Sequence, residues 1–198
     1  MHPIPPELAD HPDRLRWNAR YSAGFVPSFA AHPLAQEALA QPLPPGPVLE
    51  LACGPSGSAL LAAAAGRSVT AVDASDVALG MLADEARRRG LDGLITLVQA
   101  DLGSWRPVAA TFSLVLCTGY WDRAVFAYAT TAVRDGGVLG WEALTEAARL
   151  ERPQIPAEWC VGPSEPASLL PPGFSVLSQQ DAGPEPPAKR RLLARRRD

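Results

Sequence analysis

The chain has 198 residues, 47% of them hydrophobic and 20% charged, enough for one full-sized core and typical of a globular protein. Its formal net charge of −3 excludes a globally basic nucleic-acid binder, and no apolar run approaches the ~20 residues that span a bilayer. The start, MHPIPPELADHPDRLRW, lacks the apolar stretch of a secretory signal, so a cytoplasmic protein without a membrane anchor is expected. Cys53, Cys117 and Cys160 show no metal-ligand spacing, and His2, His11 and His32 all lie near the N-terminus, so no metal site is expected.

Residues 1–46 are rich in Pro, His and Ala, with an amphipathic piece over Leu15 to Tyr21. They read as an arm, or lid, covering the cofactor site of a single domain that spans residues 1–198. Pro42 to Pro47 form a stiff linker that cannot continue a helix. Regular alternation starts directly after it. Val48 to Ala52 reads as a buried strand, Ser58 to Ala65 as a helix ended by Gly66, and Val69 to Val72 as a second strand. Ser75 is placed to cap a helix over Asp76 to Arg89, with Ala78, Met81, Leu82 and Ala86 on its inner face. Leu94 to Val98 and Phe112 to Cys117 read as strands, then Ala124 to Val133 as a helix. The turn Asp135-Gly136-Gly137 leads into a fifth strand, Val138 to Ala143.

Residues 144–166 look irregular. Phe174 to Ser178 and Arg191 to Ala194 read as two late strands joined by a proline-containing loop. The last ten residues hold six of the 18 basic groups and one acid, leaving 12 basic groups against 20 acids, −8, elsewhere. This KRRLLARRR tail reads as a strand with packed leucines rather than as an interaction patch. Strands alternating with helices predict a three-layer α/β fold of Rossmann-like kind. Its sheet has about seven strands, mainly parallel, with an antiparallel C-terminal hairpin.

The stretch VLELACGPSG, Val48 to Gly57, has the form strand, glycine turn, helix, and a second strand follows that ends in Asp73. That is a nucleotide-type cofactor site. A dinucleotide fits Ala52-Cys53-Gly54-Pro55-Ser56-Gly57 except at the first position. However, Glu50 would repel a pyrophosphate by several kcal/mol at close range, on the order expected for a partly dry cleft. Pro55 also removes a backbone donor that a phosphate loop needs. A cationic cofactor reverses the sign. S-adenosylmethionine carries an ammonium and a sulfonium that Glu50 would attract, and Gly54 would allow close backbone approach. Asp73 can accept from both ribose hydroxyls, and Asp101 from an adenine amino group. The structural alternative is a doubly wound domain whose strand-end acids are merely solvated.

With those residues in view, the chain resembles a class I S-adenosylmethionine-dependent methyltransferase, over about residues 15–197. The carrying segments are RWNARY (16–21), VLELACGPSGSALLAAAA (48–65), VTAVDAS (69–75), VQADL (98–102), YWDRAVF (120–126) and DGGVLGWEAL (135–144). YWDRAVF, DGGVLGWEAL and the late RPQIP, SEPASLL and RRLLARRR are similar to the small-molecule branch that includes tellurite-resistance-type enzymes. The resemblance implies cofactor contacts at Glu50, Ala52, Gly54, Asp73 with Ala74, Asp101 with Leu102, Cys117, and Trp17 and Tyr21. Two positions depart from the pattern: Ala52 replaces the usual first glycine, and Ser56 the third. Ser56 is expected to need a permissive backbone, with Gly57 taking the strain.

Methyl transfer by in-line displacement needs alignment more than a catalytic group, and alignment alone can contribute ~7–11 kcal/mol. Candidate acceptor-side residues lie after the fourth strand: Thr118, Tyr120, Trp121, Asp122 and Arg123. Asp122 serves as a base or, by preference, as a helix cap. Arg123 binds an anionic substrate or lies on the surface. Glu142 faces substrate or closes an ion pair, and Glu165 has no assigned role. The expected activity is methyl transfer to a small molecule. An NAD-type oxidoreductase and a non-catalytic cofactor-binding relative are the rivals. The oligomeric state is not readable.

Overall fold

The computed structural model describes residues 4–183 and 188–198. The expected prolines between the last two strands fall at 184–187, outside the described residues. The core is a sheet in the order β3-β2-β1-β4-β5-β8-β7. Its strands are β1 (Val48–Leu51), β2 (Val69–Asp73), β3 (Ile95–Gln99), β4 (Phe112–Thr118), β5 (Val133–Thr145), β7 (Phe174–Ala182) and β8 (Lys189–Arg196). Strands β1 to β5 run parallel, and β8 and β7 close the sheet as an antiparallel pair. An eighth strand, β6 (Cys160–Val161), pairs with the end of β5. It lies in the segment expected to be irregular. Two residues are too few to leave an alternation that a sequence can reveal.

Alternate side chains of each central strand feed two cores, as a period of two requires. Leu49 and Leu51 of β1 pack with Val115, Phe126 and Trp141 on one face. Val48 packs with Leu60, Leu82, Leu114 and Leu193 on the other. Helix α5 (Arg123–Ala132) covers the first face. Helices α2 (Pro33–Leu39), α3 (Gly57–Ala64) and α4 (Asp76–Arg88) cover the second, which completes three layers. Within α4 the buried face is Ala78, Leu79, Leu82, Glu85 and Ala86. Met81 is only half-buried, a rotation of the face by one position.

The basic tail is β8, with Leu192, Leu193 and Ala194 buried and pairing along most of β5. Residues 1–46 divide into two parts. Helix α2 is core, with Leu34, Ala35 and Ala38 buried, whereas α1 (Pro12–Ser22) buries none of its residues fully. Among the described residues no helix is long and apolar enough to cross a membrane.

Strand order reverses between β1 and β4. In an open parallel sheet that point opens a crevice at the carboxyl ends of the strands. The two halves' connections leave toward opposite faces there, so no loop fills the gap.

Candidate active site

A cavity of about 640 Å³ lies at this crevice, within the ~300–1,000 Å³ usual for small-molecule sites. The β1–α3 turn supplies Ala52, Cys53, Gly54 and Pro55, the end of β2 supplies Asp73 and Ala74, and the end of β3 Ala100, Asp101 and Leu102. Thr118 to Ala124 form the side beyond β4. Asp13, Arg16, Trp17 and Tyr21 of α1 close the cavity from the N-terminal part, and Leu144, Glu158 and Trp159 from the late segment.

Asp73 organises the turn. Its Oδ2 accepts from the Gly54 N–H and its Oδ1 from the Ser75 N–H, both at 2.8 Å. Burial pushes its carboxyl above the ordinary value, against the pull of these backbone donors. A carboxylate offers about four lone-pair directions, so the backbone donors do not exhaust it and it can accept from a ligand in the cavity as well. Gly54 has φ +56°, and a Cβ there would stand 3.0 Å from the Tyr21 hydroxyl oxygen. Glycine therefore both permits the left-handed turn and keeps the space under Tyr21 open. Ala52 adopts φ +47°, a conformation that costs a non-glycine residue roughly 1 kcal/mol.

Ser56 corrects the expectation of strain. Its backbone is extended (φ −82°, ψ 120°), and its hydroxyl accepts from the N–H groups of Ser58 and Ala59 at 3.0 Å, capping α3. Gly57 is required for a different reason. A Cβ there would fall within 2.5 Å of the Phe29 carbonyl oxygen and closer still to that of Ala30. The N-terminal segment crosses directly over this glycine and is held by the His32 N–H donating to Ser58 Oγ at 3.1 Å.

Glu50 and Cys117 sit behind the wall rather than on it. Glu50 is 2% exposed, and the Ser56 hydroxyl donates to its Oε2 at 2.7 Å. Burial raises its carboxyl to about 7. Its direct partner is the turn, and its effect on the cavity passes through Ser56 and through its charge. Cys117 is fully buried in the core, with a thiol pushed well up by burial and directed at the Tyr120 carbonyl. All three cysteines are free.

Asp101 accepts from the Gly103 N–H at 2.9 Å and lies 3.8 Å from His11 Nε2. Leu102 is buried, and its carbonyl accepts from the Tyr128 hydroxyl. Trp17 and Tyr21 stack with ring centroids 5.8 Å apart. Their helix is pinned by Arg14 and Asn18, which donate to Asp76 Oδ1 at 2.7 and 2.8 Å, and by Ser75 Oγ donating to Asn18. The cap residue of α4 thus also fixes α1. Burial and the nearby charge of Asp73 push the Tyr21 phenol up to about 12.

Tyr120, Asp122 and Arg123 all reach the cavity. Burial, then the charge of Asp122, holds the Tyr120 phenol well above its ordinary value. Asp122 accepts from the Val125 N–H at 2.9 Å and caps α5. Arg123 forms two bonds of 2.9 Å with Glu165, the acid without an assigned role. Glu142 closes ion pairs instead of facing the cavity. It is 1% exposed and holds Lys189 and Arg191 at 2.6 Å and His32 at 3.2 Å.

Sequence reasoning did not single out Asp13, Arg16, Glu158 or Trp159. Arg16 lies over the Trp159 ring at 4.7 Å and the Trp17 ring at 5.6 Å, a contact that no local spacing reveals. The one available signal is a tryptophan exposed within an otherwise unpatterned segment.

Residues 48–137 match the methyltransferase-domain family. No curated protein matches the chain. Among solved structures, one from work on conversion of a disulfide bond into a thioacetal group during echinomycin biosynthesis is similar over 93% of each chain, at 21% identity and a TM-score of 0.69. An S-adenosylmethionine-dependent methyltransferase from Mesorhizobium loti is similar over 82% of this chain and 96% of its own, at 18% identity and 0.64. The magnesium protoporphyrin IX methyltransferase of Synechocystis PCC 6803, solved with bound SAH, is similar over 82% and 80%, at 17% identity and 0.65. The chain shares the fold of these structures. Residues 48–137 thus carry a methyltransferase domain, within a chain that has the fold of S-adenosylmethionine-dependent methyltransferases.

Proposed function

We propose that the cavity transfers the methyl group to a small-molecule acceptor by in-line displacement, with alignment as the main source of rate. The observation that carries this reading is the wall itself. Two carboxylates, Asp73 and Asp101, stand at adjacent strand ends, and a glycine turn is held open beneath Tyr21. When bound, S-adenosylmethionine supplies an activated methyl on a sulfonium.

The chain's residues would hold and orient it. Asp73 would accept from the ribose hydroxyls, and Asp101 from the adenine amino group. Ala52, Gly54, Ala74 and Leu102 line the same side. Glu50 supports the turn from behind through Ser56. Trp17 and Tyr21 cover the cavity and exclude water. The Pro55 nitrogen donates nothing, which disfavours a pyrophosphate.

None of the three acceptor-side candidates is free for proton transfer. Asp122 is engaged as a cap, Arg123 is paired, and the Tyr120 phenol is pushed up. That supports proximity and orientation over general-base catalysis. The resemblance of Tyr120 to Phe126 and the late segments to a small-molecule branch supports a small acceptor, as does the enclosed volume. Three unpaired cysteines suit the reducing cytoplasm. Titration calorimetry with S-adenosylhomocysteine and with NAD tests the reading. Binding of the first and not the second is expected; tight NAD binding alone would overturn it.

A further inference from the structure

We propose that the acceptor is a small amine on an apolar or aromatic body, and that Glu165 sets this preference by neutralising Arg123. The inference rests on the methyl-transfer reading of the cavity. Besides Asp73 and Asp101, the wall carries Asp13, Asp122 and Glu158. Against these five carboxylates stand Arg16 and Arg123. Arg123 is the group that would otherwise receive a carboxylate or phosphate, since its planar fork suits bidentate oxyanions. That fork is already filled. Nε and Nη2 each lie 2.9 Å from a Glu165 oxygen, and Glu165 is held in turn by the Gly162 N–H at 2.9 Å. Its carboxyl is held below the ordinary value first by the hydrogen bond from Arg123, so it stays charged at neutral pH.

With Arg123 neutralised from within the chain, the wall keeps a surplus of negative charge that only Arg16 offsets. A cleft of one sign concentrates ligands of the other sign and repels anions. The aromatic ring of Tyr120 lines the same cavity and attracts an ammonium by its quadrupole as well as by area, whereas Trp17 and Trp159 already carry Arg16.

The charge flow of the reaction agrees. The bound ammonium first gives a proton to water, and the lone pair of the resulting neutral amine forms the new N–C bond while the C–S electron pair returns to sulfur. Positive charge passes from sulfur to nitrogen, and the alkylammonium then releases a proton to water. Acids on the acceptor side stabilise the charge that develops there. With an anionic acceptor the charge is cancelled, and these acids only hinder approach.

The test uses the full chain, S-adenosylmethionine with a labelled methyl group, and two ring-matched sets. These are tryptamine, tryptophol and indole-3-acetate, and phenethylamine, 2-phenylethanol and phenylacetate. Label is expected in the amines, with initial rates about tenfold or more above the acids. Glu165→Gln frees Arg123, and is expected to narrow the amine-to-acid ratio about fivefold or more by raising the acid rates. Glu158→Gln is expected to lower the amine rates about threefold. Calorimetry with S-adenosylhomocysteine on each variant reports whether the cofactor side is intact. Acids labelled as fast as amines, an unchanged ratio in Glu165→Gln, or no labelled amine while S-adenosylhomocysteine binds would each overturn the proposal and leave methyl transfer standing. Failure of the wild-type chain to bind S-adenosylhomocysteine would instead overturn the methyl-transfer reading.

Discussion

Asp73→Ala is the most informative single change. The carboxylate accepts two backbone N–H groups at 2.8 Å, from Gly54 and Ser75, in a site that is 9% exposed. Truncation leaves both donors buried without a partner, at about 1–3 kcal/mol each. The desolvation that raises the Asp73 carboxyl offsets part of this, so a net loss of about 2–4 kcal/mol of stability is expected. For a chain of this size that lowers Tm by about 4–16 °C. Cofactor affinity falls separately. Two charge-assisted bonds to the ribose hydroxyls amount to ~2–4 kcal/mol, or about 30- to 1,000-fold in Kd. Thermal melts with and without S-adenosylhomocysteine, and calorimetry below the lowered Tm, separate the two effects. Asp73→Asn keeps one oxygen for the backbone and should lose less stability than affinity. An unchanged Kd in either variant would mean that the ribose is held elsewhere; an unchanged Tm would refute the structural role.

Glu50 titrates near 7 in the fold against an ordinary value of 4.5, so the folded state binds its proton more tightly than the unfolded one. Stability should therefore fall as pH rises from about 4.5 to 7, by up to ~3 kcal/mol, and level off above. Glu50→Gln, which still accepts from Ser56, should flatten that fall in denaturant melts across pH; an unchanged slope would remove Glu50 as its source. Gly57→Ala places a Cβ against the Phe29 and Ala30 carbonyls and should cost about 1–3 kcal/mol or displace the N-terminal segment, seen as a lower denaturation midpoint. Ala52→Gly should relieve the left-handed backbone and stabilise by about 0.5–1 kcal/mol, read in the same melts. A clear loss of stability there would show that the alanine methyl packs more than it strains.

The fold was legible because its signals are local and periodic. Val48 to Leu51 and Phe112 to Cys117 are apolar runs of strand length, Ser75 and Asp122 are capping residues, and the tail sets two packed leucines between arginines. Most boundaries moved by a residue or two, but β5 begins at Val133, five residues early and through the turn expected at Asp135-Gly136-Gly137, and β7 runs four residues further, to Ala182, since an end is decided by hydrogen bonds rather than by pattern. The inner face of α4 turned by one position, with Leu79 buried and Met81 only half-buried. Asp73 and Asp101 were legible as strand-end acids beside a glycine turn.

Glu50 is the instructive case. Its charge argued for a cationic cofactor beside it, yet its place is behind the turn, because the side chain of a central strand points into a core once helices cover both faces. Ser56 is unstrained and caps α3, whereas Gly57 is constrained by the backbone of residues 29 and 30 passing over it, a contact of distant segments.

The amino-acid sequence by itself determined the alternation of elements, the turn chemistry at Gly54 and the sign of charge at the cofactor side. These depend on neighbours along the chain. Only the tertiary structure decided that Arg123 meets Glu165, that Arg16 bridges Trp17 and Trp159, and that Glu142 gathers Lys189, Arg191 and His32. Each of those partners is brought close by packing of the sheet and its flanking segments, a proximity that separation in sequence does not encode.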